Sequence, residues 1–263
     1  MLGGGYTGSI PIVTDIPCSS KDTMYNIPLL DAVSPVAATL GPDLARMFDR
    51  LPATVCRRKT ACCALLPQMT LLEAGRLMDR VKNMDPIEHR SLLKRLVSYF
   101  HLNAARIMGC PFLSDQMCLV YNERPFGCRA YGLWSPQYYR RQAQAALQSR
   151  KAVRQAWASM GVRLPQEVLE HQPPYCRDVA LEGEGRVTDQ DLREVEKSLR
   201  ELNGRLGVPA RDFDHRFYSD LGFLLTAAIW GLDTALKNKV SVVKEYTATG
   251  QSPSLEYLIE KIQ

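Results

Sequence analysis

Residues 110–131 read CPFLSDQMCLVYNERPFGCRAY, and three cysteines, Cys110, Cys118 and Cys128, stand in it at separations of eight and ten. Pro111, Pro125 and Gly127 punctuate the stretch, so it reads as loop and turn instead of a long regular element. Upstream, residues 56–63 read CRRKTACC, with Cys56 six residues before the adjacent pair Cys62 and Cys63. Cysteines gathered in irregular segments mean a disulfide framework, a redox thiol or metal ligands.

Bulk composition narrows these options. A chain of 263 residues with 46% hydrophobic content builds a core without covalent staples. The opening MLGGGYTGSIPIV lacks a basic start and a cleavage pattern, and the longest apolar run, LGFLLTAAIWGL at 221–232, is too short to span a bilayer. The expectation is a cytoplasmic protein with no membrane segment. In a reducing compartment, clustered thiols favour metal or catalysis over disulfides. The net charge of +5 is spread along the chain with no long basic run, so nucleic acid is not the expected partner.

Outside the cysteine blocks, helical patterning dominates. Residues 1–50 are expected to form an extended arm rich in Gly, Pro and Ser. Over 67–84, Leu71, Leu72, Leu77, Met78 and Val81 share one face, with Thr70 and Glu73 spaced as a capping box. Asp85-Pro86 opens a second helix with a stripe from Ile87 through Leu92, Leu93, Leu96 and Phe100 to Ile107, stopped at Gly109. Ser135-Pro136 opens a third, ending at Gly161. A loop over 164–187 precedes Thr188, which caps a charged amphipathic helix. Residues 212–238 read as one apolar core helix, and SPSLEYLIEKI as a last short one. Strand signals are confined to SIPIVT (9–14) and CLVY (118–121). The expected fold class is mostly α: a helical domain whose irregular cysteine-bearing loops hold a metal site. Residues 51–134 form the cysteine-cluster region, and 135–263 a helical region packed with it as one domain.

Taken together, the two blocks resemble the YkgJ-like cysteine-cluster family of zinc- or iron-chelating proteins. That family's first block runs Cys-x2-Cys-x2-Cys-Cys before a helix with a Thr-x-x-Glu-like start. Its second has the form of Cys110, Pro111, Phe112, Leu113, Cys118, Tyr121, Arg124, Pro125, Cys128, Arg129 and Tyr131. The likeness covers residues 56–131. It departs at residue 59, where Lys59 stands in place of the second cysteine. It implies metal binding by Cys56, Cys62, Cys63, Cys110, Cys118 and Cys128.

A zinc ion or a 4Fe-4S cluster takes about four thiolates. Adding Cys18 and Cys176 brings the total to eight, enough for two such sites. Zinc knuckles pair cysteines two to four residues apart, and the wider separations here tip the expectation toward one or two iron–sulfur clusters, with zinc as the alternative. Arg124 and Arg129 bracket Cys128 and are the expected cofactor-binding cations around an anionic site. Of four histidines, His171 lies close enough in sequence to Cys176 to serve as an accessory ligand. His215 has Asp212, Asp214 and Asp220 nearby, and His89 and His101 do not form a ligand pair.

The expected function is electron transfer, or Lewis-acid or sulfur-transfer chemistry, with a redox or client protein as partner. The alternatives are a zinc-stabilised interaction module, whose partner face is the charged helix at 188–206, and a metal-delivery or maturation factor.

Overall fold

The structure is a computed structural model, and it describes residues 27–56, 59–182 and 186–262, without the side chain of Cys56. Cys18 and the expected strand at 9–14 lie outside the described residues, as do Arg57 and Arg58. Among the described residues 64% are helical, in 11 helices with little sheet. Among the described residues no helix is long and apolar enough to cross a membrane.

Of the stretch expected to be an extended arm, residues 1–26 lie outside the described residues, and 21 of the others form the first helix, α1 (Pro28–Phe48). Pro35 and Pro42 lie inside it and misled the sequence reading, since an interior proline removes a backbone donor and costs about 3 kcal/mol. Both point to solvent, where water can take the freed carbonyls, while Leu30, Val33, Leu40, Leu44 and Phe48 are buried on the opposite face.

Helix α2 (Leu71–Lys82) starts at the expected capping box, and Leu72 N also donates to Asn203 Oδ1 at 3.1 Å. Helix α3 (Pro86–Leu102) is capped by Asp85. It ends before Ile107, and both Ile87 and Ile107 are exposed although the apolar stripe was expected to include them. Beyond them come α4 (Phe126–Arg129), α5 (Pro136–Ser159), α6 (Gln166–Glu170) and α7 (Asp189–Gly204). Ser135, the cap of α5, is joined to α7 through Asp189, which accepts from Ser135 N at 2.7 Å and from its hydroxyl at 2.6 Å.

The apolar stretch 212–238 is not one helix. It runs through α8 (Val208–Arg216), α9 (Leu221–Trp230) and α10 (Leu232–Thr249). Tyr218 and Ser219 adopt left-handed backbone with φ of 53° and 55°, and Gly231, at φ 81°, ends α9 and begins α10. Helix α11 (Pro253–Glu260) closes the described fold.

One hydrophobic core runs from Leu30 in α1 through α2, α3 and the cysteine loops to Leu192, Phe213 and Leu225. Helix α7 contributes Leu192, Val195, Leu199 and Leu202 and packs on α1, so its apolar face is core and only its charged face is left for a partner.

Two small antiparallel ribbons frame the cysteine region. Strand β1 (Thr54–Cys56) pairs with β4 (Val179–Leu181), placing Cys56 opposite Val179. Strands β2 (Leu113–Ser114) and β3 (Met117–Cys118) form a hairpin through Asp115 and Gln116, both left-handed at φ 46° and 61°. That tight mirror-image turn is the kind that matches strand twist. Of the strand expected over 118–121, only Cys118 lies in β3.

Candidate metal centre

Three separate segments bring the cysteines together. Residues Ala61–Cys63 form a single 3-10 turn, entered through Thr60 in left-handed backbone at φ 55°. Cys110 N then donates to Cys63 O at 2.8 Å, joining the first block to the second directly through the backbone. Gly109 belongs at this joint, because a Cβ there would stand 3.4 Å from the same Cys63 carbonyl. The β2–β3 hairpin folds the chain back and sets Cys118 opposite Leu113. Helix α4 carries Cys128.

Glu73 fixes α4 in place. Its carboxylate is almost wholly buried; Oε2 accepts from Thr70 N and Thr70 Oγ1, each at 2.8 Å, and Oε1 accepts from Phe126 N at 2.6 Å. One side chain thus caps α2 and holds the first turn of the Cys128 helix 53 residues away. The sequence reading assigned Glu73 only the capping role. The signal available was the position of Glu73 beside the apolar face of its helix, where a lone cap residue would normally face water.

The thiols feel one another. Cys62 Sγ and Cys63 Sγ are 3.9 Å apart. Their contact draws the Cys62 thiol down to about 6 and drives Cys63 upward, with desolvation adding to the rise. Burial pushes Cys110 up to about 12 and raises Cys118, and it pushes Cys128 well above the ordinary thiol range. The negative fields of Cys110, Cys62 and Cys118 all add to the rise at Cys128. Five sulfurs therefore occupy one electrostatic neighbourhood that opposes their simultaneous ionisation.

The two arginines differ in what they do. Arg124 lies over the Tyr121 ring at 3.7 Å, and its positive field favours the thiolates of Cys62, Cys118 and Cys128. Arg129 is occupied as a clamp. Its Nε donates to Arg124 O at 2.7 Å and its Nη2 to Asn122 O, while its guanidinium covers the Phe48 ring at 4.5 Å. Arg129 therefore holds the loop before Cys128 against α1, while Arg124 faces Cys62, Cys118 and Cys128 and the field of Arg95 reaches Cys110.

Cys176 is carried to the edge of the same region. Tyr131 Oη donates to Pro174 O, and Tyr175 Oη donates to Trp134 O at 3.2 Å, tying 174–176 to the chain after Cys128. Gly132, at φ 86°, makes room for this approach; a Cβ there would stand 2.8 Å from Val179 Cγ2 and 3.3 Å from Cys176 Cβ. The fields of Cys176 and Cys62 both reach Tyr131, whose hydroxyl is pushed upward chiefly by burial. Since Val179 pairs with Cys56, the backbone of Cys56 arrives at this edge as well.

His171 is tied to α5 through its backbone. Its carbonyl accepts from Arg150, and its Nε2 is buried without a hydrogen-bond partner among the described residues. His215 sits in the last turn of α8.

In donor type the residues present suit a soft metal. The set is all sulfur, which fits zinc and iron–sulfur chemistry and not magnesium or calcium. Among the described residues, no three His, Cys, Asp or Glu side chains stand ready to grip a single ion. Comparison with known protein families, curated proteins and solved structures finds no match to this chain.

Proposed function

We propose that this chain is a cysteine-ligated metal protein carrying an iron–sulfur cluster among the loops before α2 and between α3 and α5. The observation that carries the reading is the meeting of Cys62, Cys63, Cys110, Cys118 and Cys128 from three segments in one desolvated neighbourhood. As bare thiols they repel one another's ionisation; a cation among them reverses the sign and favours thiolate. The likeness of residues 56–131 to the YkgJ-like cysteine-cluster family belongs to the same proposal. Cys62, Cys63, Cys110, Cys118 and Cys128 are the proposed ligands, with Cys56 and Cys176 at the adjoining edge and Cys18 as a further member of the set.

When bound, such a cluster supplies one-electron transfer, or Lewis-acid or sulfur-transfer chemistry if a position stays free of cysteine. The chain's own contribution is positional and electrostatic. Glu73 and Arg129 hold the Cys128 turn, the Cys110–Cys63 backbone bond locks the two blocks, and Arg124 offsets negative charge. A redox or client protein is the proposed partner.

Zinc held by four of the same thiolates is the second reading. It is favoured by the rigid backbone joint between Cys63 and Cys110, which suits a closed structural site. Anaerobic purification followed by iron, sulfide and zinc analysis, with electron paramagnetic resonance after reduction, decides between them. Iron and sulfide in equal amounts with a broad visible absorption is the expected result. A colourless protein with stoichiometric zinc overturns the cluster in favour of zinc, and folded protein free of both metals overturns the whole proposal.

A further inference from the structure

A cleft of about 500 Å³ lies between one face of α3 and the segment leading into the second cysteine block. Ile87, Ser91, Lys94, Arg95 and Ser98 recur on that helix at the spacing of one face, and Met108 to Pro111 form the other wall. Its volume falls in the range of small-molecule sites. Three features point to the kind of occupant. Arg90, Lys94 and Arg95 line it with no Asp or Glu among the lining residues, and none of the three forms an ion pair among the described residues. Arg95 donates from Nη1 to Leu113 O at 3.0 Å, yet its Nε is a buried donor with no partner among the described residues. Finally, the walls between these cations are carbon-rich, and Ile87 there is 81% exposed.

We infer that this cleft binds a small organic anion, its carboxylate, phosphate or sulfonate set against Arg90, Lys94 and Arg95 and its apolar body against Ile87 and Met108. The inner end of the cleft is Cys110, so an occupant lies directly against the proposed metal centre. Binding in the cleft stands on the cleft itself; that the occupant is a substrate or effector of the centre rests on the function proposed above. Arg95 has a double part, since it supports the hairpin through Leu113 and faces the cleft. Ligand charge at Arg95 is therefore felt at the loop that carries Cys118.

The test uses two fluorescent probes sharing one ring system, the anionic 1-anilinonaphthalene-8-sulfonate and the neutral N-phenyl-1-naphthylamine. Both are titrated into the full chain purified anaerobically, with metal content measured on the same sample. In the double variant R90E/K94E, the sulfonate is expected to bind about tenfold or more weaker, with the neutral probe unchanged within about twofold. Ser91→Trp fills the cleft and is expected to weaken both probes. R140E/R154E, on the exposed and basic α5, is expected to leave both untouched. Arg90, Ser91, Arg140 and Arg154 are exposed and Lys94 is half-buried, and a thermal melt confirms folding of each variant. Equal sulfonate affinity in R90E/K94E and the unaltered chain overturns the inference, as does Ser91→Trp without effect on either probe. Metal present without sulfonate binding refutes the cleft alone, whereas sulfonate binding without metal keeps the cleft and refutes the centre.

Discussion

Glu73 offers the sharpest test of how this fold holds its cysteines. Replacing it with alanine removes one helix cap and three accepted hydrogen bonds. Loss of the capping interaction costs about 1 kcal/mol. Phe126 N is left buried without a partner, at about 1–3 kcal/mol, and the packing around an almost fully buried side chain loosens as well. The total for Glu73→Ala is about 3–5 kcal/mol. Glu73→Gln keeps the shape but has a single acceptor oxygen for donors on both sides, so it costs about 1–3 kcal/mol. Thr70→Ala removes the cap for Glu73 N yet leaves the Phe126 bond in place, at about 1 kcal/mol. For a chain of this size each kcal/mol lowers the melting temperature by about 2–4 °C. Thermal melts of the three variants should rank Glu73→Ala lowest and Thr70→Ala highest. Alkylation of metal-free protein should label Cys128 faster in both Glu73 variants and not in Thr70→Ala. If Glu73→Ala melts no lower than Thr70→Ala, the link to Phe126 carries no energy and the argument for a pinned Cys128 turn fails.

His101 makes stability depend on acid. It is fully buried beside Lys239, with Nδ1 donating to Val97 O at 2.8 Å, and burial draws its pKa from 6.5 down to about 4. The folded state keeps it neutral while the unfolded chain protonates below 6.5, so roughly 3 kcal/mol is lost as pH falls from about 6.5 to about 4. Urea unfolding of the native chain and of His101→Leu across that window should show the steeper fall only in the native chain. Gly132→Ala combines a left-handed φ with a Cβ contact of 2.8 Å to Val179 and should cost about 2–4 kcal/mol, read as a lower melting temperature and faster alkylation of Cys176. Arg129→Lys keeps the charge but puts a single ammonium nitrogen where two guanidinium nitrogens, Nε and Nη2, reach the Arg124 and Asn122 carbonyls separately, so the fixed fork is lost. A loss of about 1–3 kcal/mol and faster metal release to a chelator are expected, while Arg124→Gln should affect metal retention with little change in melting.

Local rules were enough wherever the signal was local. The Thr70–Glu73 box, the Thr188 cap, and the caps Asp85 and Ser135 ahead of Pro86 and Pro136 place four helix starts from sequence, because each needs only neighbours within one turn. The mostly helical class and the two cysteine blocks are equally legible there. Tertiary contact decided the rest. Helix α1 forms despite Pro35 and Pro42 because its other face is buried, and the stretch 212–238 breaks into three helices where Tyr218, Ser219 and Gly231 turn left-handed. Spacing alone could not say that Cys110 N meets Cys63 O, that Glu73 reaches Phe126, or that Tyr131 and Gly132 bring in Cys176. Those contacts join residues dozens of positions apart, and their energy exists only once burial has removed water from between them.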